Sequence, residues 1–472
     1  MSKMKIAKRN PFAGTPVIHT PAIFGASEGK DFMYRIPVTG KRPIAVRVVS
    51  DRSDITVKDG ILYGNIAKCE QFTVTVYAEN SEGCTEKELK IVIEENGVLK
   101  TPLMGFTTWN AFGSYVTAEN VCNTADLLIS SGIADYGYSY VNVDSGWQKE
   151  YGGEFDAIMP NEKFPDMKAM YDHIHANGLR GGIYSTPMLT AWGCPKELES
   201  IPGCTVGEPD PRFPEVPNGG IGLVHKEQNN VRQWEAWTVD YLKYDWRPVE
   251  PINAELMRQA LLKSKREFGY CVTVQAMPED GDYYKANVNS YRCNEDAFPE
   301  WPNVVNRINT VDTWREFAAP GHFYDLDMLA VNGYKEGHEK QPLSDNEEIF
   351  AYTLVSFFSS PLQISTPIET LNEFHLDLLC NEEIIAVNQD ILADYPCPVK
   401  KDETVYIYKK QLSSSKVAYA VFNLSEAEIT ENLAVGENKG IRDLWMKEDL
   451  ECAATLTCKV GPHCARVFTV QY

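Results

Sequence analysis

Thr238-Val-Asp-Tyr-Leu-Lys-Tyr-Asp245 carries the clearest structural signal in the chain. It predicts a short buried strand ending in an acid, with Val239, Tyr241, Leu242 and Tyr244 supplying β-branched, apolar and aromatic bulk. Lys243 and Asp245 are two apart, so on a strand both project from one face. Opposite charge favours the ionised form of a carboxylate, so Lys243 is expected to hold Asp245 ionised. A positioned carboxylate is what nucleophilic attack at a sugar carbon needs. A structural salt bridge at a strand end fits the same residues.

Outward from this strand, from about 98 to 391, strand and helix alternate. Strands are expected at Met104–Asn110, Tyr140–Asp144, Leu179–Tyr184, Tyr241–Asp245, Val272–Gln275, Tyr291–Asp296, His322–Asp325 and Pro361–Ser365. Helical spacing runs over Ala118–Ser131, Met167–Ala176 and Glu347–Ser359, with Gly132 and Asn177-Gly178 as stops. Eight such units in about 290 residues have the rhythm of a (β/α)8 TIM barrel. A doubly wound sheet is the other arrangement, but no glycine-rich phosphate loop follows any strand.

Both flanks read as all-β. Residues 1–14 are expected to be a loose arm. Over 15–97, Ile44–Val49, Phe72–Tyr77 and Leu89–Ile93 alternate between turn residues, which predicts a small N-terminal β-sandwich. Over 392–472, Thr404–Tyr408, Val417–Phe422 and Arg466–Val470 predict a C-terminal antiparallel β-sandwich packed on the barrel.

A 472-residue chain has room for two or three domains and needs no disulfide staples. Its net charge of -21 argues against nucleic acid and anionic membranes as partners, and suits a neutral small-molecule or oligosaccharide substrate. No apolar run of about 18 residues predicts a membrane span. The basic start, Met1 to Asn10, is followed by no apolar run, so no signal peptide is read. Twelve cysteines without a C-x-x-C are expected to be reduced thiols, which places the chain in the cytoplasm unless a leader was removed. Oligomeric state is left open.

In a (β/α)8 barrel the site lies at the C-terminal ends of the strands. Those ends carry Trp109 and Asn110; Asp144, Ser145 and Trp147; Tyr184; Lys243, Asp245 and Trp246; Arg292 and Asp296; and Asp325 and Asp327. Acids framed by Trp and Tyr suit a carbohydrate, because aromatic faces cover the apolar side of a sugar and carboxylates accept from its hydroxyls. Trp147 fits plain core equally well. There is no Ser-His-Asp set, and His173-x-His175 falls on a helix surface. Asp325-x-Asp327 gathers too few oxygens for a divalent cation. No metal or organic cofactor is expected.

Several motifs then line up. Thr101-Pro-Leu-Met-Gly-Phe-Thr-Thr-Trp-Asn-Ala-Phe112, Tyr140-Val-Asn-Val-Asp-Ser-Gly-Trp147, Tyr241-Leu-Lys-Tyr-Asp245, Arg292-Cys-Asn-Glu-Asp296, Ala319–Leu329 and Ala386–Asp390 stand in order. Together they resemble the glycoside hydrolase family 27 α-galactosidases (melibiases) over about 98–391. Asp59–Gly64 with Phe72–Asn80 resembles the immunoglobulin-like modules attached to many bacterial enzymes.

The family resemblance implies a retaining exo-glycosidase acting on terminal α-D-galactosides by double displacement. Asp245 would be the nucleophile and Asp296 the acid/base, the latter kept protonated by repulsion from Asp245. Trp109, Asp144, Ser145, Tyr184, Lys243, Arg292 and Asp325 would line the sugar. Two departures bear on which sugar. Ser145 stands where the family has a second Asp reading O4 and O6, and Gln275–Asp280 lacks the Glu that reads O2. Losing a charged hydrogen bond costs on the order of 1.5–3 kcal/mol, enough to change the preferred sugar. The family's cysteine pairs are missing too, with Gly146 and Trp246 at two of those positions. Other readings are the same mechanism on α-N-acetylgalactosaminides or β-L-arabinopyranosides, or a catalytically silent carbohydrate-binding protein.

Overall fold

The computed structural model describes residues 4–187, 225–245, 249–273, 276–329, 331–333 and 343–472. Eight parallel strands form its centre: β1 Met104–Thr107, β2 Tyr140–Val143, β3 Arg180–Ser185, β4 Tyr241–Asp245, β5 Gly269–Thr273, β6 Ser290–Arg292, β7 Phe323–Asp325 and β8 Leu362–Ile364. They pair in the order β7-β6-β5-β4-β3-β2-β1-β8. Leu329, beyond β7, closes the ring: its N–H donates to Gln363 (2.7 Å) and its carbonyl accepts from Ser365 (3.0 Å). The sheet is a closed (β/α)8 barrel.

Period-two alternation sorts the β4 side chains. Leu242 and Tyr244 join the large core under the helices, whereas Tyr241 joins Leu103, Tyr140 and Cys271 in a separate cluster at the strand starts. Lys243 and Asp245 share the Tyr241 face and follow it up the barrel. Gly182 lies opposite Tyr241, and a Cβ there would stand 2.1 Å from Asn142 Oδ1. Only glycine leaves room there for the Asn142 and Tyr241 side chains.

The strand ends depart from expectation most at β1, β5 and β6; at β2, β3, β7 and β8 they shift by one residue. β5 begins three residues earlier than Val272 and ends at Thr273; Val274 and Gln275 lie outside the described residues, as does Trp246. β6 stops at Arg292, so Asp296 sits on a loop. Cys-Asn-Glu-Asp is poor strand material, and Arg292 Nε turns back to the Asn294 carbonyl (3.3 Å). Trp109 opens a helical turn, Trp109–Phe112, and does not continue β1.

Residues 23–94 form a four-stranded and a three-stranded sheet around their own core, which includes Phe32, Leu62, Val76 and Ile91. They sit under the barrel floor, where Arg180 donates to the Met33 carbonyl and Ser27 N–H donates to Glu267. The C-terminal six-stranded antiparallel sheet, Cys397 to Gln471, shares the barrel's core: Phe422 meets Phe350 and Tyr408 meets Phe358 edge-on. From Met4 onward the arm is not loose. Ala7 N–H donates to the Trp445 carbonyl (2.8 Å), Met4 N–H to Asn346 and Arg9 N–H to Asp377. Polar partners in the barrel and the C-terminal sheet hold it down.

Candidate active site

β2 ends at Val143, and the next two residues are fixed by hydrogen bonds. Asp144 N–H donates to Thr108 Oγ1 (2.8 Å) and Ser145 N–H donates to Asp144 Oδ1 (2.7 Å). Asp144 Oδ2 takes the Lys243 ammonium at 2.7 Å. Burial pushes the Asp144 carboxyl up, and Lys243 pulls it back only in part. Burial works against the Lys243 ammonium as well, but Asp144, Asp245 and Asp327 outweigh it and hold Lys243 above the ordinary lysine range. Among the described residues Lys243 makes its one ion pair with Asp144 and not with its strand neighbour Asp245. The two-residue spacing cannot reveal a partner on another strand.

Asp245 is 7% exposed and accepts from Thr273 Oγ1, its register partner on β5. Lys243 pairs in register with Tyr184 on β3, whose ring centroid lies 5.7 Å from the ammonium. Trp147 is wholly buried: its Nε1 donates to the Tyr184 carbonyl (3.0 Å) and its ring meets Trp237 edge-on. It is core. Ser145 is also buried, and its Oγ has no hydrogen-bond partner among the described residues.

On the far side, Arg292 grips two acids, Asp327 through Nη1 (2.6 Å) and Asp296 through Nη2 (2.8 Å). Burial opposes its charge, but Asp327, Asp296 and Asp325 hold the guanidinium. Asp327 Oδ2 accepts from Ala297 N–H (2.6 Å). Its oxygens are therefore occupied by protein donors. Asp325, the register partner of Arg292, is 2% exposed and accepts from Asp327 N–H (2.7 Å). Burial pushes its carboxyl up to about 6, and Arg292 opposes this. Trp109 is half-buried beside Asn110, whose Nδ2 donates to the Ala297 carbonyl (3.1 Å).

The barrel therefore gathers Trp109, Asp144, Ser145, Tyr184, Lys243, Asp245, Arg292 and Asp325 at its strand ends, with Asp296 on the loop after β6. Sequence reading missed Thr273, which faces Asp245, and Asn303, which bonds the Asp296 carbonyl. Thr273 could have been found from the strand pattern. Asn303 leaves no local signal. The altered loop after β5 forms a short turn at Pro278–Asp280. The described cysteines are free thiols.

The family model for alpha galactosidase A (Melibiase_2) matches residues 101–202 and 217–390. An alpha-galactosidase of Oryza sativa is 27% identical over 80% of this chain and 86% of its own length. Alpha-galactosidase 2 of Arabidopsis thaliana is 29% identical over 80% and 91%. The crystal structure of a candidate alpha-galactosidase/melibiase from Bacteroides fragilis superposes with a TM-score of 0.87 at 26% identity, covering 98% of this chain and 99% of its own.

Proposed function

The chain belongs to the alpha galactosidase A family (Melibiase_2) and is a glycoside hydrolase, and on that premise we propose that it removes terminal α-D-galactosyl groups by a retaining double displacement at Asp245 and Asp296. One observation carries the reading. The C-terminal ends of β2, β4 and β6 bring Asp144, Lys243, Asp245 and the Arg292-held Asp296 to one rim of one barrel. Asp245 attacks the anomeric carbon while Asp296 gives its proton to the departing glycosidic oxygen. Water, deprotonated by Asp296, then attacks the same carbon and frees Asp245. Two carboxyls suffice for this chemistry. In this reading Lys243 and Asp144 bond ring hydroxyls as donor and acceptor, and Trp109 covers an apolar sugar face.

Asp245→Asn is expected to abolish turnover of an aryl α-galactoside while the thermal melt stays that of the parent. Full activity in that variant would falsify the assignment. A second reading is favoured by Ser145, whose neutral hydroxyl replaces a carboxylate. β-L-arabinopyranose is α-D-galactose without its C6 hydroxymethyl, so a site that binds C6 less strongly discriminates less against it. Comparing kcat/KM on the two aryl glycosides decides between them.

A further inference from the structure

Asp296 lies outside every regular element, yet an acid/base must be held within a fraction of an ångström of its productive position. Besides Arg292 on the Asp296 carboxylate, three side chains among the described residues hold the backbone of Asp296–Phe298. Asn303 Nδ2 donates to the Asp296 carbonyl (2.9 Å), and Asn303 Oδ1 accepts from Phe298 N–H (3.1 Å). The peptide between them is gripped as well: Asp327 takes Ala297 N–H and Asn110 donates to the Ala297 carbonyl.

Asn303 is the third residue of the helix Trp301–Trp314. A polar side chain at that position ordinarily reaches back to the N-cap N–H. Here the N-cap is Glu300, and its N–H already donates to the Phe298 carbonyl (2.8 Å). Pro299 has no N–H to offer. The Asn303 amide is therefore free to reach further back, onto both ends of the acid/base segment. A single side chain uses its donor and its acceptor to tie that segment to a rigid helix.

We propose that Asn303 is the positioning residue for the general acid, acting through the backbone of Asp296–Phe298. The proposal rests on reading Asp296 as the acid/base. General acid catalysis matters only when the leaving group needs a proton. Displacing Asp296 should therefore slow an alkyl α-galactoside or a disaccharide and spare 2,4-dinitrophenyl α-galactoside, whose phenolate leaves unaided. A general loss of packing would lower both alike.

The test compares kcat/KM on the two substrates for Asn303→Leu, Asn303→Asp and Asp296→Ala, each checked by thermal melting. Asn303→Leu should lose about 100-fold on the alkyl galactoside and almost nothing on the dinitrophenyl one. Asn303→Asp keeps the acceptor for Phe298 N–H and loses the donor, so it should lose about 10-fold on the alkyl substrate alone. It also covers the case in which Asn303→Leu does not fold. Equal losses on both substrates, or no loss on either, would overturn the role of Asn303. Asp296→Ala separates the two ideas: if it shows no leaving-group dependence, the acid/base assignment fails whatever the Asn303 variants do.

Discussion

At the scale of single residues, the site combines groups that burial treats differently. Asp325 is enclosed at the strand ends with its carboxyl pushed up to about 6, against about 3.9 in an unfolded chain. Between those values the folded protein binds more protons than the unfolded one, so stability falls as pH rises from about 4 to about 6. Above that window the full cost is about 3 kcal/mol. Asp325→Asn keeps an oxygen for Asp327 N–H and removes the charge. It should lose this pH slope and melt higher than the parent at pH 7.5, with the difference vanishing near pH 4. Identical melting curves at both pH values would contradict the assigned shift. Strand ends and period two located Asp144, Asp245 and Asp325, but not Asp296, which lies on the loop after β6. They did not reveal which charge meets which. Lys243 answers to Asp144 just past β2, ninety-nine positions away in the chain, and no strand-internal rule anticipates that.

At the scale of elements, β4 was legible to the residue because its apolar and aromatic run is bounded by polar ends, and Met167–Ala176 because helical spacing ends at Asn-Gly. Trp301–Trp314 was not read as a helix, although its spacing carries the signal. Its buried Val304, Ile308 and Val311 stand at i, i+4 and i+7, and Pro302 lies in the first turn, where proline is tolerated. Lys410, on the strand Val405–Gln411, was invisible. It reads as a surface lysine in sequence, yet it is 2% exposed and joins three elements. Its Nζ donates to the carbonyls of Phe357 and Val387, at the ends of two helices, and to Ser359 Oγ. Burial lowers its pKa to about 8 from an ordinary 10.5, with Asp390 and Asp394 opposing. Between pH 8 and 10.5 the unfolded chain holds more protons, so the parent gains stability with rising pH, by up to about 3 kcal/mol. Lys410→Met lacks this gain. Urea unfolding at pH 7.5 and pH 10 should show the variant losing about 2–3 kcal/mol relative to the parent. Parallel behaviour of the two proteins would refute the shift.

At the scale of the molecule, both β regions hold the barrel from outside the site. The C-terminal sheet reaches the helix that carries Asn303: His463 stacks on Trp301 at 4.1 Å. The N-terminal region grips the opposite end. Arg180, at the start of β3, is fully enclosed and donates to the Met33 carbonyl and to Tyr140 Oη, and it pairs with Glu267 at 3.0 Å. Glu267 in turn accepts from Ser27 N–H. Burial pushes the Glu267 carboxyl up and Arg180 opposes it, so neither group is comfortable alone. Removing one partner of such a pair costs about 3–5 kcal/mol, because the other is left charged in a dry interface. Arg180→Met and Glu267→Gln should each lose stability in that range, and the double variant should lose clearly less than their sum. The pair sits at the starts of the strands and the chemistry at their ends. Its loss should therefore leave kcat/KM at 25 °C close to that of the parent in every variant that stays folded. Strict additivity in denaturant unfolding would mean that the two charges do not depend on each other. A fall in kcat/KM alongside intact folding would mean that the floor of the barrel reaches the rim mechanically, which nothing in the parallel sheet requires.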